Sequence, residues 1–484
     1  MAQITLARAV EVLQDFNLLL SPTPEALNDT QSIFDHMAYA SNEVTASTLL
    51  VCKGAFKDAY MRDAASRGLQ WYVADHEFDS HIAGQAQALV VSNTRQALAV
   101  LAQEFYDHPE RQLFTVGITG TKGKSTTAYF THAIFNDYFT HKTALISSVD
   151  NCTDGVTYVE SDLTTPESLD LYRMLREAVD NGLTHAVIEV SSQAYKVDRV
   201  FNLHFNVGAF INIFPDHISP LEHPSFEDYF ACKRQIIRHS DAMVLGAGIE
   251  HREEIDATIT DAQVPAYFVD ASSIARDRIV LDMPGDFNYD NVAIAVKIAE
   301  LAGVPSDSSS LEAANHVSIS GRMEVFHGSH TDNKNVVAIV DYAHNGISLT
   351  TLLDYVDSTY SSHNPHITVV TGSAGDKAVN RRVDMVQAAQ HRIDYFIFTA
   401  EDTNTELVED ICAQMDAAVS DERVQHEIIL DRTQAVETAL HNAAQQPRLA
   451  VVLVIGKGDE RWIKLHNKHV PYEGDDAIVQ RVLN

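Results

Sequence analysis

From about residue 110 onward, short apolar runs alternate with segments of helical period, which is the pattern of parallel sheets with crossover helices. The runs Leu113 to Thr119, Thr143 to Ser147, His185 to Ser191, Val207 to Ile213 and Ala242 to Gly246 are each bounded by Gly, Pro, Asp or Asn and predict five strands of one central domain. A second series predicts a separate doubly wound domain: Val336 to Asp341, Ile367 to Gly372, Tyr395 to Thr399, Glu427 to Leu430 and Ala450 to Ile455. Between its strands, Arg432 to Gln445 sets Val436 and Leu440 one turn apart with Ala439 and Ala443 alongside, a core-facing helical stripe. The first hundred residues are less regular, with apolar runs at Leu69 to Ala74 and Ala88 to Ser92, and predict a smaller mixed domain.

The fold class is therefore α/β in three domains: 1–109, small and mixed; 110–320, a central P-loop ATPase-like parallel sheet; and 321–484, Rossmann-like. The second boundary falls in Ser318-Ile-Ser-Gly-Arg-Met-Glu324, a polar stretch whose glycine can absorb a backbone rotation. A chain of 484 residues is too long for one core and matches this count.

Composition changes the picture by exclusion. The formal net charge of -32 argues against non-specific nucleic-acid binding, so anionic ligands must be captured at local sites. Neither a secretory start nor a membrane-spanning run is present, which predicts a cytoplasmic protein with no membrane partner. Cys52, Cys152, Cys232 and Cys412 stand far apart, as expected of buried free thiols rather than a zinc or disulfide framework.

The first chemistry lies where the Leu113 to Thr119 run meets Gly120-Thr121-Lys122-Gly123-Lys124-Ser125-Thr126, followed by a helix-compatible stretch. Glycines let backbone N–H groups close around phosphate oxygens, the helix N-terminus adds partial positive charge, Lys124 neutralises outer phosphates and Ser125 can ligate magnesium. The general P-loop pattern would place a glycine at position 118, which Ile118 occupies.

The shorter Gly-Thr-x-Gly-Lys-Ser form resembles the Mur ligase family. Glu189-Val-Ser-Ser-Gln-Ala194, Asn212-Ile-Phe-Pro-Asp-His217, Gly285-Asp-Phe-Asn-Tyr-Asp-Asn291, Gly321-Arg322, Asp341-Tyr-Ala-His344 and Gly456-Lys-Gly-Asp-Glu460 are similar to its signatures and spread the resemblance over all three domains. Leu163-Thr-Thr-Pro-Glu-Ser168, Ser191 to Arg199 and Glu222 to Lys233 resemble the members that add the third residue of the peptidoglycan stem peptide, above all the lysine-adding type.

That resemblance implies an ATP-dependent ligase, probed residue by residue. The resemblance implies that magnesium is held by Ser125, Glu189, His217 and a carbamylated Lys233; oxygen ligands suit so hard an ion, and the His217 imidazole is an unusual partner for it. ATP would meet the loop from Gly120 to Thr126, with Asn291 at the adenine, Asp341 at the ribose, and Arg322 and His344 at the phosphates. The last three come from the hinge or the C-terminal domain, so domain closure would complete the site. Lys124 and Arg322, with Glu189, His217 and Lys233, form the expected catalytic set. Ser41, Thr164, Thr165, Ser192, Gln193 and Arg199 would bind the UDP-N-acetylmuramoyl dipeptide; the family's Asp-Ser-Arg triplet reads Ala40-Ser41-Asn42 here, so its arginine is missing.

For the incoming diamino acid, Arg382 aligns with the residue that binds its carboxylate, and Gly456 and Glu460 with other contacts; Asp402 and Asn404 complete the expected amino-acid-binding set. Diaminopimelate-adding members carry an arginine in Asp-Asn-Pro-Arg where this chain has Glu401-Asp-Thr-Asn404. A distal carboxylate without that cation costs about 2 to 5 kcal/mol, which favours lysine. Asp402, Glu406 and Glu460 are the candidate partners of its ε-ammonium. Ornithine satisfies the same charge logic, and a folylpolyglutamate synthase or a non-catalytic nucleotide-binding scaffold are the competing readings. A monomer is expected.

Overall fold

The computed structural model describes residues 2–22, 32–219, 222–376 and 379–484, without the side chains of residues 21 and 22. Of the Gly375 to Arg382 motif, residues 377 and 378 thus lie outside the described residues. The chain divides into two compact units. The first comprises Met1–Phe214, Glu227–Ile279 and Asp290–Ala314; the second comprises Pro215–Phe226, Val280–Tyr289 and Asn315–Asn484.

Among the described residues, the first unit holds a two-stranded pairing of Ile4–Thr5 with Ile33–Phe34 and two larger sheets. In the smaller, the strands Thr48–Val51, Trp71–Ala74 and Gln87–Val91 run parallel with His36–Ala38, and only Leu19–Pro22 pairs antiparallel. The larger has eight strands, and all five predicted central runs lie in it. Phe114–Thr119 is central, flanked in parallel by His185–Glu189 and Phe205–Phe210. Val116 and Ile118 are fully buried, as are Val187, Ile188 and Ala209. Such continuous apolar strands are covered on both faces, which is what parallel crossover connections require. Strand order reverses around the central strand, and open α/β sheets place ligand sites at the C-terminal edge of such a switch point.

The second unit is built on a six-stranded sheet containing the whole second series, with Glu324–His327 added antiparallel at one edge. Strand alternation sorts its core: Val336, Ala338 and Val340 pack on one face with Val436, Ala439, Leu440 and Ala443, while Val337 and Ile339 pack on the other with Leu349 and Leu353. The Arg432–Ala444 helix thus buries the stripe read from its sequence. At its start, the fully buried Arg432 pairs with Asp475 at 2.7 Å and donates to the Ala400 and Ile455 carbonyls. Gly321 has φ +67, and a Cβ there would collide with the backbone nitrogen of Asp459, so this position admits only glycine. All four cysteines are buried and free. No helix among the described residues is long and apolar enough to cross a membrane.

Candidate active site

In the first unit, the phosphate loop joins the central strand to the Lys124–Tyr138 helix. Ile118 lies inside the strand, and a Cβ on Gly117 would sit 2.8 Å from the Phe205 ring, so both serve packing and the loop starts at Gly120. That explains the departure from the longer glycine pattern. Gly123, at φ +81, caps the helix and lies under Asn291, whose Oδ1 would be 2.5 Å from a Cβ. Asn212 shapes the loop from a neighbouring strand end: its Oδ1 accepts from the Thr121 and Lys122 amides at 3.0 and 2.9 Å, and its Nδ2 donates to the Lys122 carbonyl. Its motif was visible in the sequence, but this role was not.

Two lysines meet at the loop. Lys124 Nζ donates to the Gly120 and Thr121 carbonyls at 3.1 and 3.3 Å, and Lys233 Nζ donates to the Gly120 carbonyl at 2.7 Å. Lys233 is 2% exposed, on the Phe226–Arg238 helix, so the alternative of a solvated surface lysine does not apply. Tyr229, one turn earlier, donates to Thr121 Oγ1 at 3.0 Å and lays its ring below the Lys233 ammonium.

Glu189, fully buried at the end of its strand, accepts from the Ser148 amide through Oε1 at 3.0 Å. Ser148 Oγ in turn lies 3.0 Å from Ser125 Oγ. Glu189 Oε2 has no hydrogen-bond partner. A buried carboxylate oxygen without a donor, linked through one hydroxyl to the loop serine, is a donor set that fits magnesium. Lys122 and Thr126 complete the loop.

On the same edge, Thr165 is buried and its hydroxyl donates to the Glu189 carbonyl at 2.8 Å, with Thr164 beside it half-buried. Ser192 and Gln193 open the short Ser192–Lys196 helix, and Gln193 Nε2 is a buried donor without a partner. Arg199 Nη1 donates to the Thr165 carbonyl at 3.2 Å. Ser41 begins a single 3-10 turn after the His36–Ala38 strand.

In the second unit, His217 takes a left-handed backbone (φ +56) and its Nδ1 lies 3.1 Å from Glu222 Oε1. Its neighbour Asp216 is bound by Arg381 and by the Asn345 amide. Asp341, at the end of its strand, accepts from the Met323 and Ala343 amides. The Arg322 guanidinium lies over the Tyr342 ring, and His344 Nδ1 meets the Tyr342 carbonyl at 2.8 Å. Tyr342 also donates to Glu460 at 3.0 Å, so the Gly321, Asp341 and Gly456 motifs meet at one sheet edge.

There the predicted amino-acid contacts gather with an unexpected distribution of charge. Arg382 is 1% exposed and bonds Glu406 twice, at 2.7 and 3.0 Å, as well as Gln414. It holds Glu406 below the usual carboxylate range. Lys457, also 1% exposed, pairs with both Asp402 and Glu460. All three acidic candidates for an ε-ammonium are thus matched by the chain's own cations. Asn404 donates to the Gly375 carbonyl at 2.7 Å and brings no charge. The acid left over is Glu401, which the sequence reading passed by: it is buried, its Oε2 has no partner, and burial pushes it up to about 7. Gly456, at φ +112, lies against it; a Cβ there would be 2.6 Å from Oε2.

Residues 118–280 match the Mur ligase middle domain and residues 321–458 the Mur ligase glutamate ligase domain. The UDP-N-acetylmuramyl-tripeptide synthetase of Bifidobacterium longum is 46% identical, with 99% of each chain covered. The chain belongs to the Mur ligase family. It is accordingly an ATP-dependent acid–amino-acid ligase. The UDP-N-acetylmuramoyl-L-alanyl-D-glutamate--L-lysine ligase of Enterococcus faecalis is 38% identical over 93% of this chain and 91% of its own. A solved UDP-N-acetylmuramoyl-L-alanyl-D-glutamate--2,6-diaminopimelate ligase has the same fold, with a TM-score of 0.59 at 19% identity over 93% of this chain and 94% of that one. The Mycobacterium tuberculosis folylpolyglutamate synthase has it too, with a TM-score of 0.58 at 16% identity over 75% of this chain and 92% of that one.

Proposed function

We propose that this ligase joins L-lysine to the D-glutamate of UDP-N-acetylmuramoyl-L-alanyl-D-glutamate, a cytoplasmic step of peptidoglycan precursor synthesis carried out by a monomer. Residues 1–109 would take the UDP end of the substrate, 110–320 ATP, and 321–484 the amino acid. The side-chain carboxylate of D-glutamate attacks the γ-phosphorus of ATP, and ADP leaves. The lysine amine, having lost its proton, then attacks the acyl phosphate, the carbon–oxygen bond breaks and phosphate departs. Lys124 and Arg322 stabilise the charge that gathers on the transferring phosphoryl group. Magnesium, held by Ser125, Glu189, His217 and a carbamylated Lys233, would supply Lewis-acid polarisation of the phosphate oxygens. Gly120 to Thr126, Asn291, Asp341 and His344 bind ATP in this scheme, while Ser41, Thr164, Thr165, Ser192, Gln193 and Arg199 bind the dipeptide.

The choice of amino acid is carried by two observations, the buried Glu401 and the neutral Asn404. A buried carboxyl with an unpartnered oxygen stands beside Gly456, and the position that would bring a cation holds a neutral amide. An ammonium suits that site and a second carboxylate does not. The names of the relatives from Enterococcus faecalis and Streptococcus thermophilus, both L-lysine ligases, support the same reading. Ornithine differs by one methylene, worth only about 1 to 3 kcal/mol. The test is ADP release with the muramoyl dipeptide and L-lysine, L-ornithine or meso-diaminopimelate in turn. Turnover with lysine is expected; no turnover with any of the three defeats the reading, and a preference for diaminopimelate defeats the charge argument.

A further inference from the structure

Three cationic side chains from separate elements of the first unit converge on the carboxylate of a fourth residue, Glu167. Lys53 follows the Thr48–Val51 strand, Arg95 lies in the first turn of the Thr94–Phe105 helix, Arg199 follows the Ser192–Lys196 helix, and Glu167 caps the Ser168–Asp180 helix. Lys53 Nζ is 2.8 Å from Glu167 Oε2, Arg199 Nη2 is 3.0 Å from Oε1, and Arg95 Nη1 is 3.6 Å from Oε2. The Lys53 and Arg199 side chains are only 17% and 16% exposed. The other carboxylates nearby have their own donors: Asp198 accepts from the Asn93 and Gln96 amides, and Asp170 from the Tyr39 hydroxyl.

Three cations around Glu167 exceed what one buried anion needs. Burial pushes the Lys53 ammonium down from its ordinary value, Glu167 opposes that, and Arg95 and Arg199 add to it. Arg95 Nη1 is a buried nitrogen with no hydrogen-bond partner, since 3.6 Å is an ion-pair distance only. Withdrawing a cation from water without its own counter-ion is costly, so a fold that keeps this surplus has a use for it. The surplus is also local, in a chain with 35 Lys and Arg against 67 Asp and Glu. Arg199 joins it to the substrate edge through the Thr165 carbonyl.

We propose that Lys53 and Arg95, together with Arg199, hold an oxyanion of the acyl substrate, with Glu167 as their counter-ion until it arrives. This rests on the proposed function, whose dipeptide substrate offers two such groups: the non-reacting D-glutamate carboxylate and the diphosphate. Lys53 and Arg95 are positioning residues here and take no part in bond making.

The test is steady-state kinetics of the full chain. Lys53→Met and Arg95→Leu are each expected to raise KM for the muramoyl dipeptide about tenfold or more, with KM for ATP and lysine unchanged and Lys53→Arg recovering most of the loss. Arg95 is 32% exposed and its removal keeps both close Glu167 pairs, so this variant folds even where Lys53→Met does not. Two analogues identify the anion: the dipeptide with its non-reacting carboxylate as an amide, and the dipeptide on unphosphorylated N-acetylmuramic acid. On the analogue lacking the bound group, the variants lose their KM penalty. An unchanged KM, an equal rise in KM for ATP, or a penalty undiminished on both analogues overturns the proposal alone. A wild-type chain that does not turn over the dipeptide overturns the functional reading and this proposal with it.

Discussion

Replacing Glu401 by Gln exchanges a buried titratable carboxyl for a neutral side chain of nearly the same shape, and the structure sets both sign and size of the effect. Burial raises the Glu401 carboxyl from 4.5 to about 7, with Asp402 reinforcing the shift and Arg432, Lys457 and Arg381 opposing it. Between those two values the folded chain keeps one proton that the unfolded chain has released, so stability falls as pH rises, by about 1.4 kcal/mol per pH unit. Integrated over the window, the wild type forfeits about 3 kcal/mol by pH 7, and the loss is then constant. Glu401→Gln has no such loss, so it is expected to be the more stable protein above about pH 7 and to match the wild type near pH 4.5. Of the two tryptophans, Trp462 lies in the second unit and Trp71 in the first. Denaturant unfolding in a Trp71→Phe background therefore follows the unit that holds Glu401. The same variant is expected to raise KM for lysine while leaving KM for ATP in place. Unfolding midpoints of wild type and variant that stay parallel from about pH 5 to 8 would refute the argument.

Lys233→Ala is expected to abolish turnover while the fold is retained, and bicarbonate does not restore it, because no amine remains to be carbamylated; full activity would remove Lys233 from the site. Gly321→Ala places a Cβ against the Asp459 nitrogen at φ +67 and is expected to destabilise the second unit by about 2 kcal/mol or more. An unchanged unfolding midpoint of that unit would show that position 321 tolerates a side chain.

The strands that carry the site were legible because buried parallel strands are continuous apolar runs with polar ends. Val336–Asp341 and Ala450–Ile455 fall where the pattern set them, and the others within three residues. The Asp150–Cys152 and Val159–Glu160 edge strands carry no such run and were not foreseen. The N-terminal sheet escaped detailed reading because its strands are short and its helices, such as Leu6–Asp15, bury only part of a face. The phosphate loop was legible from residue types alone, since only glycines, a lysine and a hydroxyl meet its tasks. Pairings between distant residues were not: neither the clasp of Asn212 on Thr121 and Lys122 nor the bond of Arg382 to Glu406 has a local signature.

That last class of information alters the argument about substrate choice most. From the sequence, selection of lysine rested on the arginine missing at Asn404, with Asp402, Glu406 and Glu460 as candidate partners of the ε-ammonium. In the folded second unit, Lys457 neutralises Asp402 and Glu460, and Arg382 neutralises Glu406. A substrate ammonium gains little from a carboxylate that already has a buried partner, because it must compete with a cation whose place is fixed by the fold. Glu401 is different: burial pushes it up to about 7, so only part of it is ionised near neutral pH, and an arriving cation stabilises its ionised form. Binding then returns part of the roughly 3 kcal/mol that ionisation there would otherwise cost. A neutral side chain on the incoming amino acid cannot do this, and a distal carboxylate raises the cost further. In the proposed reaction, discrimination therefore rests on one buried acid with an unpartnered oxygen and on a missing arginine rather than on the overall acidity of the pocket.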